Sequence, residues 1–420
     1  MIKPKPKTLI KSPDSLIHVP QRLLSTIDQY MRVYGIRHPR TKSPRIQKEY
    51  VLFFANLIFL SGIKFKRADP RYDDTYAEIS STRLRQWDEC AEIYMHFLDR
   101  SEFIDVRTYK IGINSKMYRL KPNTKIVPFH LTHKPLIKKI ARLGKKNAEK
   151  TQSDQKLMIY FEAMKGVTVK PDAIVFVENS KFSDNYSELW KLNVIEKMDL
   201  SGDFWLHFGY KVNRIYTPFC SLKREVRKNC LLIDGEEMCE LDIKCSQPSL
   251  LYVLLKNQNY ATKFTVNYLS PNEKEKLESE LIEYKCLFNE PNDFYRFILG
   301  EYLRLKPNKK LDRDKIKVFV LRWLFSKKNK DPIVTQIFNN EFPIMLKCIT
   351  MFKEGGNSLA ALLQNLEAEI VLDEVCGQLK DCGFSWFTVH DSINFPKSKT
   401  EIVENVWKKT LTKYSLPHFS

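Results

Sequence analysis

Residues 311–325, LDRDKIKVFVLRWLF, can bury their apolar side chains on one side only as a helix. At about 100° per residue, Ile316, Phe319, Val320, Trp323 and Leu324 gather on one side, enough apolar surface to dock the helix on a folded body. Steps of four place Arg313, Lys317, Leu321 and Phe325 together on another flank, roughly 18 Å long. That flank runs from two cations to an aromatic ring. A nucleoside triphosphate has the same order of chemistry, from phosphates to base. A basic amphipathic surface helix would show the same pattern, so the rest of the chain has to decide between the two.

The chain has 420 residues, with Lys+Arg 69 against Asp+Glu 50 and a formal net charge of +19. This length accommodates two or three domains, and 43% hydrophobic residues supply sizeable cores. The excess positive charge is spread along the chain. It favours a polyanionic partner, nucleic acid ahead of an anionic membrane. The nine cysteines form no CxxC pair, and nine, eight and five residues separate Cys220, Cys230, Cys239 and Cys245. These spacings match no common zinc site and suggest reduced thiols in a cytoplasmic protein. The basic N-terminus lacks the apolar run of a signal peptide. Residues 50–65 are the most apolar stretch, but Asn56 interrupts them and they are too short to span a bilayer. They read as a buried helix.

Residues 1–20 are rich in Lys, Pro and Ser and read as a disordered basic tail. Helical patterns cover 21–34 and 47–60, and Ser80-Ser81-Thr82 caps a third over 83–98. Strands at 103–106 and 116–120 then bracket a turn at Gly112 and Asn114. The order is that of a winged-helix module with a basic ribbon (Arg107, Lys110, Lys116, Arg119). A small α/β domain without nucleic-acid contact reads equally well. Lys138, Lys139, Arg142, Lys145, Lys146 and Lys150 follow, either on a helix lying along a phosphate backbone or in a solvated linker.

From residue 205 short strands are expected at 205–210 and 214–219. A hairpin of 231–234 with 238–244 should turn at Gly235. Period-two alternation sets Met238, Glu240, Asp242 and Lys244 on a polar face opposite Cys239, Leu241, Ile243 and Cys245. Helical patterns occupy 270–305, 331–351 and, after Gly355-Gly356-Asn357, 358–379. Strands at 384–390 and 392–396 meet at His390-Asp391-Ser392, and 400–420 close the chain. The class is α+β.

A strand aspartate is usually solvated, and an aspartate at a tight turn is usually turn chemistry. Together with the basic helix, however, Asp242 and Asp391 supply what two-metal phosphoryl transfer requires. Two carboxylates hold Mg²⁺ ions about 4 Å apart while cations neutralise the phosphates.

Between Arg214 and Pro396 the chain resembles the polymerase core shared by family A DNA polymerases and single-subunit RNA polymerases. LDIKCSQPSLL resembles the first carboxylate motif, RDKIKVFVLRWLF the fingers helix and TVHDSINF the second carboxylate motif. Gln364 to Ile370 resembles the helix that presents a Gln to the primer–template minor groove. Asn213-Arg214-Ile215-Tyr216, Arg224 and Arg227 stand where these enzymes place template- and primer-binding arginines. The order of all five elements agrees, over about half the chain.

The resemblance implies a right-hand polymerase with an antiparallel palm and helical fingers. Residues 1–20 would be a tail, 21–125 a winged-helix-like domain and 126–205 a basic, thumb-like helical connector. The palm would comprise 206–284 and 356–420, with the fingers at 285–355. Asp242 and Asp391 would bind two Mg²⁺ ions, with Mn²⁺ as a substitute. Arg313 and Lys317 would hold the triphosphate, with Lys317 as acid for the leaving group. Leu321 and Phe325 would line the base end, Gln247 the sugar edge, and Gln364 and His390 the primer.

Several departures bear on sugar choice: Cys245-Ser246 and Ser392 resemble the RNA polymerases, Phe325 without a hydroxyl resembles the DNA polymerases, and Ser326 replaces a Gly. Gln247 stands where many DNA polymerases carry a Glu, Leu321 where many carry an aromatic, and Phe325 where the RNA polymerases carry a Tyr. The implied activity is DNA synthesis on a primed nucleic-acid template without a proofreading exonuclease. The alternatives are a primase or small RNA polymerase, an inactive DNA-binding replication protein, and template-independent tailing. Nucleic acid, nucleoside triphosphates and replication proteins are the implied partners, with no membrane. Reduced polymerases of this sort occur in phages, plasmids and integrated elements.

Overall fold

The computed structural model describes residues 16–34, 47–64, 76–107, 116–121, 124–182, 185–200, 204–209, 212–257, 268–289, 292–327 and 331–416. It is an α+β protein in which helices predominate and the sheets are small and antiparallel. The chain divides into two units. The first comprises Met1–Gln155, Pro171–Trp205 and Ser221–Asn229, and the second Lys156–Lys170, Leu206–Cys220 and Cys230–Ser420.

The first unit is built on the helix Lys48–Lys64, whose residues Val51 to Ile58 are all buried. Asn56 is accommodated in this apolar run because its Oδ1 accepts the backbone N–H of His18 at 2.9 Å. His18 belongs to the strand Leu16–Pro20, paired antiparallel with Ile126–His130. The expected tail therefore ends before residue 16, and the boundary expected after 125 falls inside this unit's fold. The alternation of Ile17 and Val19, both buried, is what makes the segment a strand. Residues 1–15, Lys110 and the Gly112/Asn114 turn lie outside the described residues.

After Lys48–Lys64 come the strand Ala77–Glu78, the helices Ser81–Arg85 and Ala91–Arg100, and the strands Ile104–Arg107 and Met117–Leu120. Met117–Leu120 takes the middle of this three-stranded sheet. Two ribbon cations are engaged within the unit. Arg119 contacts Asp105 at 2.8 Å and lies over the Tyr76 ring at 4.6 Å, while Arg107 lies over the same ring at 3.9 Å.

The basic segment forms one helix, Lys134–Gln152. Leu136 is buried, with Ile137 and Ile140 against the same core, whereas Lys134, Lys138, Arg142 and Lys146 are exposed at steps of four.

In the second unit the sheet order is Met238–Asp242, Ser392–Pro396, Phe387–Val389. The hairpin expected between 231–234 and 238–244 does not form a ladder. Leu231–Ile233 pairs instead with Val167–Val169, a strand inside a stretch expected to be helical, and only an Ile233–Glu236 bridge closes the turn. The reason lies at Asp234. Its N–H donates to Gly166 O at 2.9 Å and its carboxylate accepts the Ser385 N–H at 2.7 Å, which ties the turn to two other segments.

Pro343 starts a new helix and so splits the helical stretch after Asp331 into Pro332–Glu341 and Pro343–Glu354. The long helix expected over 358–379 runs as Leu359–Ala368, widens into a π-helical segment Glu369–Val375, and ends as Cys376–Leu379.

Candidate active site

The two aspartates meet on the second unit's three-stranded sheet. In the antiparallel register of Met238–Asp242 with Ser392–Pro396, Asp242 faces Ser392. Asp391 lies immediately before Ser392, and its carbonyl accepts the Ile243 N–H at 3.2 Å. Two residues 149 positions apart in sequence thus become cross-strand neighbours. Asp242 is exposed and Asp391 is half-buried. The alternation along 238–242 is softer than expected, since Met238 to Leu241 are all half-buried.

Burial raises the Asp391 carboxyl above its usual range and the charge of Asp242 pushes the same way. A backbone hydrogen bond, Arg214 and Lys317 pull it back. Asp242, Asp391, Arg214 and Lys317 therefore share one electrostatic neighbourhood. Two like charges beside two cations, one carboxylate partly desolvated, form a donor set suited to a hard divalent cation with oxygen ligands. Among the described residues no group of three or more His, Cys, Asp or Glu side chains is arranged to hold a metal, so the pair has no third protein carboxylate. Mg²⁺ commonly binds through one or two carboxylates, with water and substrate oxygens completing the shell.

The helix Arg313–Phe325 begins at the cap Asp312, whose side chain accepts the Lys315 N–H. Ile316, Val320, Trp323 and Leu324 are buried, as the helical period requires. On the other flank Lys317 is exposed, Arg313 and Leu321 are half-buried, and Phe325 keeps 39% of its surface. At the far end the buried Lys353 donates to Trp323 O at 2.7 Å, closing the last turn.

Arg313 is held by two residues that no sequence motif singles out. Its Nε donates to Asp293 Oδ2 at 2.9 Å, and its guanidinium lies 5.3 Å from the centre of the Tyr295 ring. Asp293 also caps the helix Phe294–Leu305 through the Arg296 N–H. One short acid therefore aims the arginine and starts the helix that carries the stacking tyrosine.

Glu367 is the other residue missed. It is 1% exposed, on the Leu359–Ala368 helix one turn beyond Gln364. Its Oε1 lies 2.5 Å from Arg214 Nη2, and its Oε2 accepts Gln247 Nε2 at 2.6 Å and Ser246 Oγ at 3.3 Å. Burial pushes its pKa up to about 7, against the pull of Arg214 and with the push of Asp391. Its signal in the sequence is an acid at helical spacing from Leu363, on a helix that also carries Leu359, Leu362 and Leu366.

The backbone is bent at three points beside these groups. Asn213, Cys245 and His390 all have positive φ, at 47°, 50° and 55°. They precede Arg214, Ser246 and Asp391. Such conformations cost about 1–3 kcal/mol each and persist where surrounding contacts over-determine them. The His390 ring meets Tyr216 edge-on at 5.9 Å, and Tyr216 stacks on His207 at 5.4 Å. Gln364 is half-buried.

The remaining two candidates fall in the first unit. Arg224 is exposed. Arg227 is 7% exposed and its Nη1 donates to Leu222 O at 2.8 Å, so this guanidinium braces the chain internally instead of facing a phosphate.

No protein-family model and no curated protein matches the chain. No helix among the described residues is long and apolar enough to cross a membrane.

Proposed function

We propose that the second unit is the palm and fingers of a template-directed nucleotidyltransferase, a DNA polymerase that extends a primer 3′-hydroxyl with deoxynucleoside triphosphates and carries no proofreading exonuclease. The observation that carries the reading is the placement of Asp242, opposite Ser392, beside Asp391, which precedes Ser392, with Arg214 and Lys317 in the electrostatic neighbourhood of Asp391.

In this reading Asp242 and Asp391 hold Mg²⁺, which when bound neutralises phosphate charge and raises the acidity of the attacking hydroxyl. Arg313, aimed by Asp293 and Tyr295, takes a phosphate in a fixed orientation. Lys317 is exposed and supplies the cation and the proton for the leaving pyrophosphate. Phe325 and Leu321 offer an apolar surface to the base, and Gln247 lies at the sugar edge. Gln364, His390 and Arg214 position the primer–template.

The test is purified protein with a primed DNA template, Mg²⁺ and each nucleotide set in turn. Extension with deoxynucleotides that is lost in Asp242→Ala and Asp391→Ala supports the reading. Extension with ribonucleotides alone would replace it with a primase or small RNA polymerase. Incorporation unchanged in both variants would overturn the site.

A further inference from the structure

We infer that Glu367 is the positioning residue of this site, a single carboxylate that sets both Arg214 and Gln247. The inference rests on the proposed nucleotidyl transfer and names a residue outside the motifs that suggested it.

The argument begins with cost. Withdrawing a carboxylate from water is expensive, and an apolar side chain in its place is often neutral or stabilising. A glutamate 1% exposed in a helix rich in leucine therefore needs a reason other than stability. The surroundings supply three partners: the Arg214 guanidinium, the Gln247 amide and the Ser246 hydroxyl. These come from two other segments, one before the strand Ile215–Tyr216 and one at the start of the helix Ser246–Lys256.

Both segments are bent immediately ahead of the residues that Glu367 holds, at Asn213 and at Cys245. Backbone of this kind stays put where something on the far side fixes it, and Glu367 is that fixed point. Its own helix departs from α geometry two residues later, at Glu369. Departures of this type gather at functional positions.

The electrostatics give the arrangement its direction. Arg214 contacts Glu367, and its charge also reaches Asp391. Glu367 holds the guanidinium 2.5 Å away and so prevents it from collapsing onto Asp391, which would compete with a cation there. On its other oxygen it takes the Gln247 N–H, which fixes the amide plane at the proposed sugar edge. Glu367 touches no substrate in this scheme. It acts through Gln247 on the nucleotide and through Arg214 on the carboxylate pair.

The test compares Glu367→Gln, Glu367→Asp, Gln247→Ala and Glu367→Gln/Gln247→Ala with the unaltered chain in primer extension. Glu367→Gln keeps the shape and removes the charge. It should raise the nucleotide KM roughly tenfold, the loss expected of one charge-assisted hydrogen bond, and lower kcat as well, because the released Arg214 competes with the cation at Asp391. Glu367→Asp should recover part of the loss. The KM of the double variant should be no worse than that of Gln247→Ala, because both changes remove the one contact through which Glu367 reaches the nucleotide. An unchanged KM in Glu367→Gln, or additive KM losses in the double variant, would overturn the inference. If the unaltered chain incorporates no nucleotide, the functional reading fails. The network is then judged by a thermal-unfolding cycle of Arg214→Ala with Glu367→Gln, where additive shifts would overturn it and coupled shifts would sustain it.

Discussion

The side-chain amide of Gln247 donates a 2.6 Å hydrogen bond to the carboxylate of Glu367, 120 residues further along the chain. In the proposed polymerase reading Gln247 takes the place of a glutamate, and the acid comes from a different helix. Exchanging the two side chains would probe the geometry: Gln247→Glu/Glu367→Gln should retain activity better than either single change, read as kcat/KM in primer extension. Either single change leaves two acids or two amides in contact. Two buried acids repel or share a proton, and two amides forfeit the bond to charge.

Asp242→Asn and Asp391→Asn should each lower incorporation by several kcal/mol of barrier, roughly a thousandfold. Their effects on stability should differ from that loss. Asp391 has a raised pKa from burial and from Asp242, so the folded state favours its protonated form. Asp391→Asn should therefore leave the melting temperature in metal-free buffer unchanged or higher. A large fall in melting temperature would mean that the activity loss reflects unfolding.

Glu367 makes stability pH-dependent in a defined direction. Its ordinary value of 4.5 rises to about 7 in the folded chain, so between these values the folded state binds more protons than the unfolded state. The stabilisation is fully present below pH 4.5 and is lost as pH rises through 7. The difference is at most roughly 3 kcal/mol. Urea midpoints at pH 5, 6, 7 and 8 should show this slope in the unaltered chain and a shallower one in Glu367→Gln. Parallel slopes would assign the pH dependence to other groups.

Gly166 sits where a side chain has no room. A Cβ there would fall 1.9 Å from Asp234 Oδ1 and 2.3 Å from Ser385 Oγ. Gly166→Ala should break the bond from Ser385 N–H to Asp234 and cost about 1–3 kcal/mol in denaturant unfolding. A change of less than ~0.5 kcal/mol would show that the turn at Asp234 has slack.

The exposed row Lys134, Lys138, Arg142 and Lys146 offers a second test of a nucleic-acid partner, independent of catalysis. Leu136, Ile137 and Ile140 of this helix are packed against the core, so they are not free to enter a bilayer. Lys138→Gln/Arg142→Gln/Lys146→Gln should weaken duplex DNA binding and reduce the log–log salt slope by about 2.7, near 0.9 for each phosphate no longer neutralised. An unchanged slope would assign these cations to solvent.

How much of this was legible in the sequence depends on the range of the interaction. The helix Arg313–Phe325 was readable because its period repeats over thirteen residues and its cap is local. The association of Asp242 with Asp391 follows from motif order, since nothing near either residue announces a neighbour 149 positions away. The hairpin around Gly235 was misplaced because the turn chemistry is real while the partner strand, Val167–Val169, is only three residues long. Asp293 and Glu367 were passed over because each looked like an ordinary polar position in a helical stretch, and their meaning lies in contacts from other segments. The π-helical Glu369–Val375 has no pattern that a period of 3.6 could reveal.

The order in which the chain visits its two units has a practical corollary. Lys156–Lys170 belongs with the second unit although thirty-five residues of the first follow it. That early piece supplies the Tyr160 hydroxyl to Leu372 O, the Ala163 carbonyl to Trp386 N–H and a strand to Leu231–Ile233. A fragment cut to begin at residue 206, where composition suggests a boundary, would be synthesised without these partners. It would leave an unpaired strand edge and an uncovered Trp386. A fragment that keeps the second unit whole would have to begin at or before Lys156, or carry Lys156–Lys170 rejoined through a new linker.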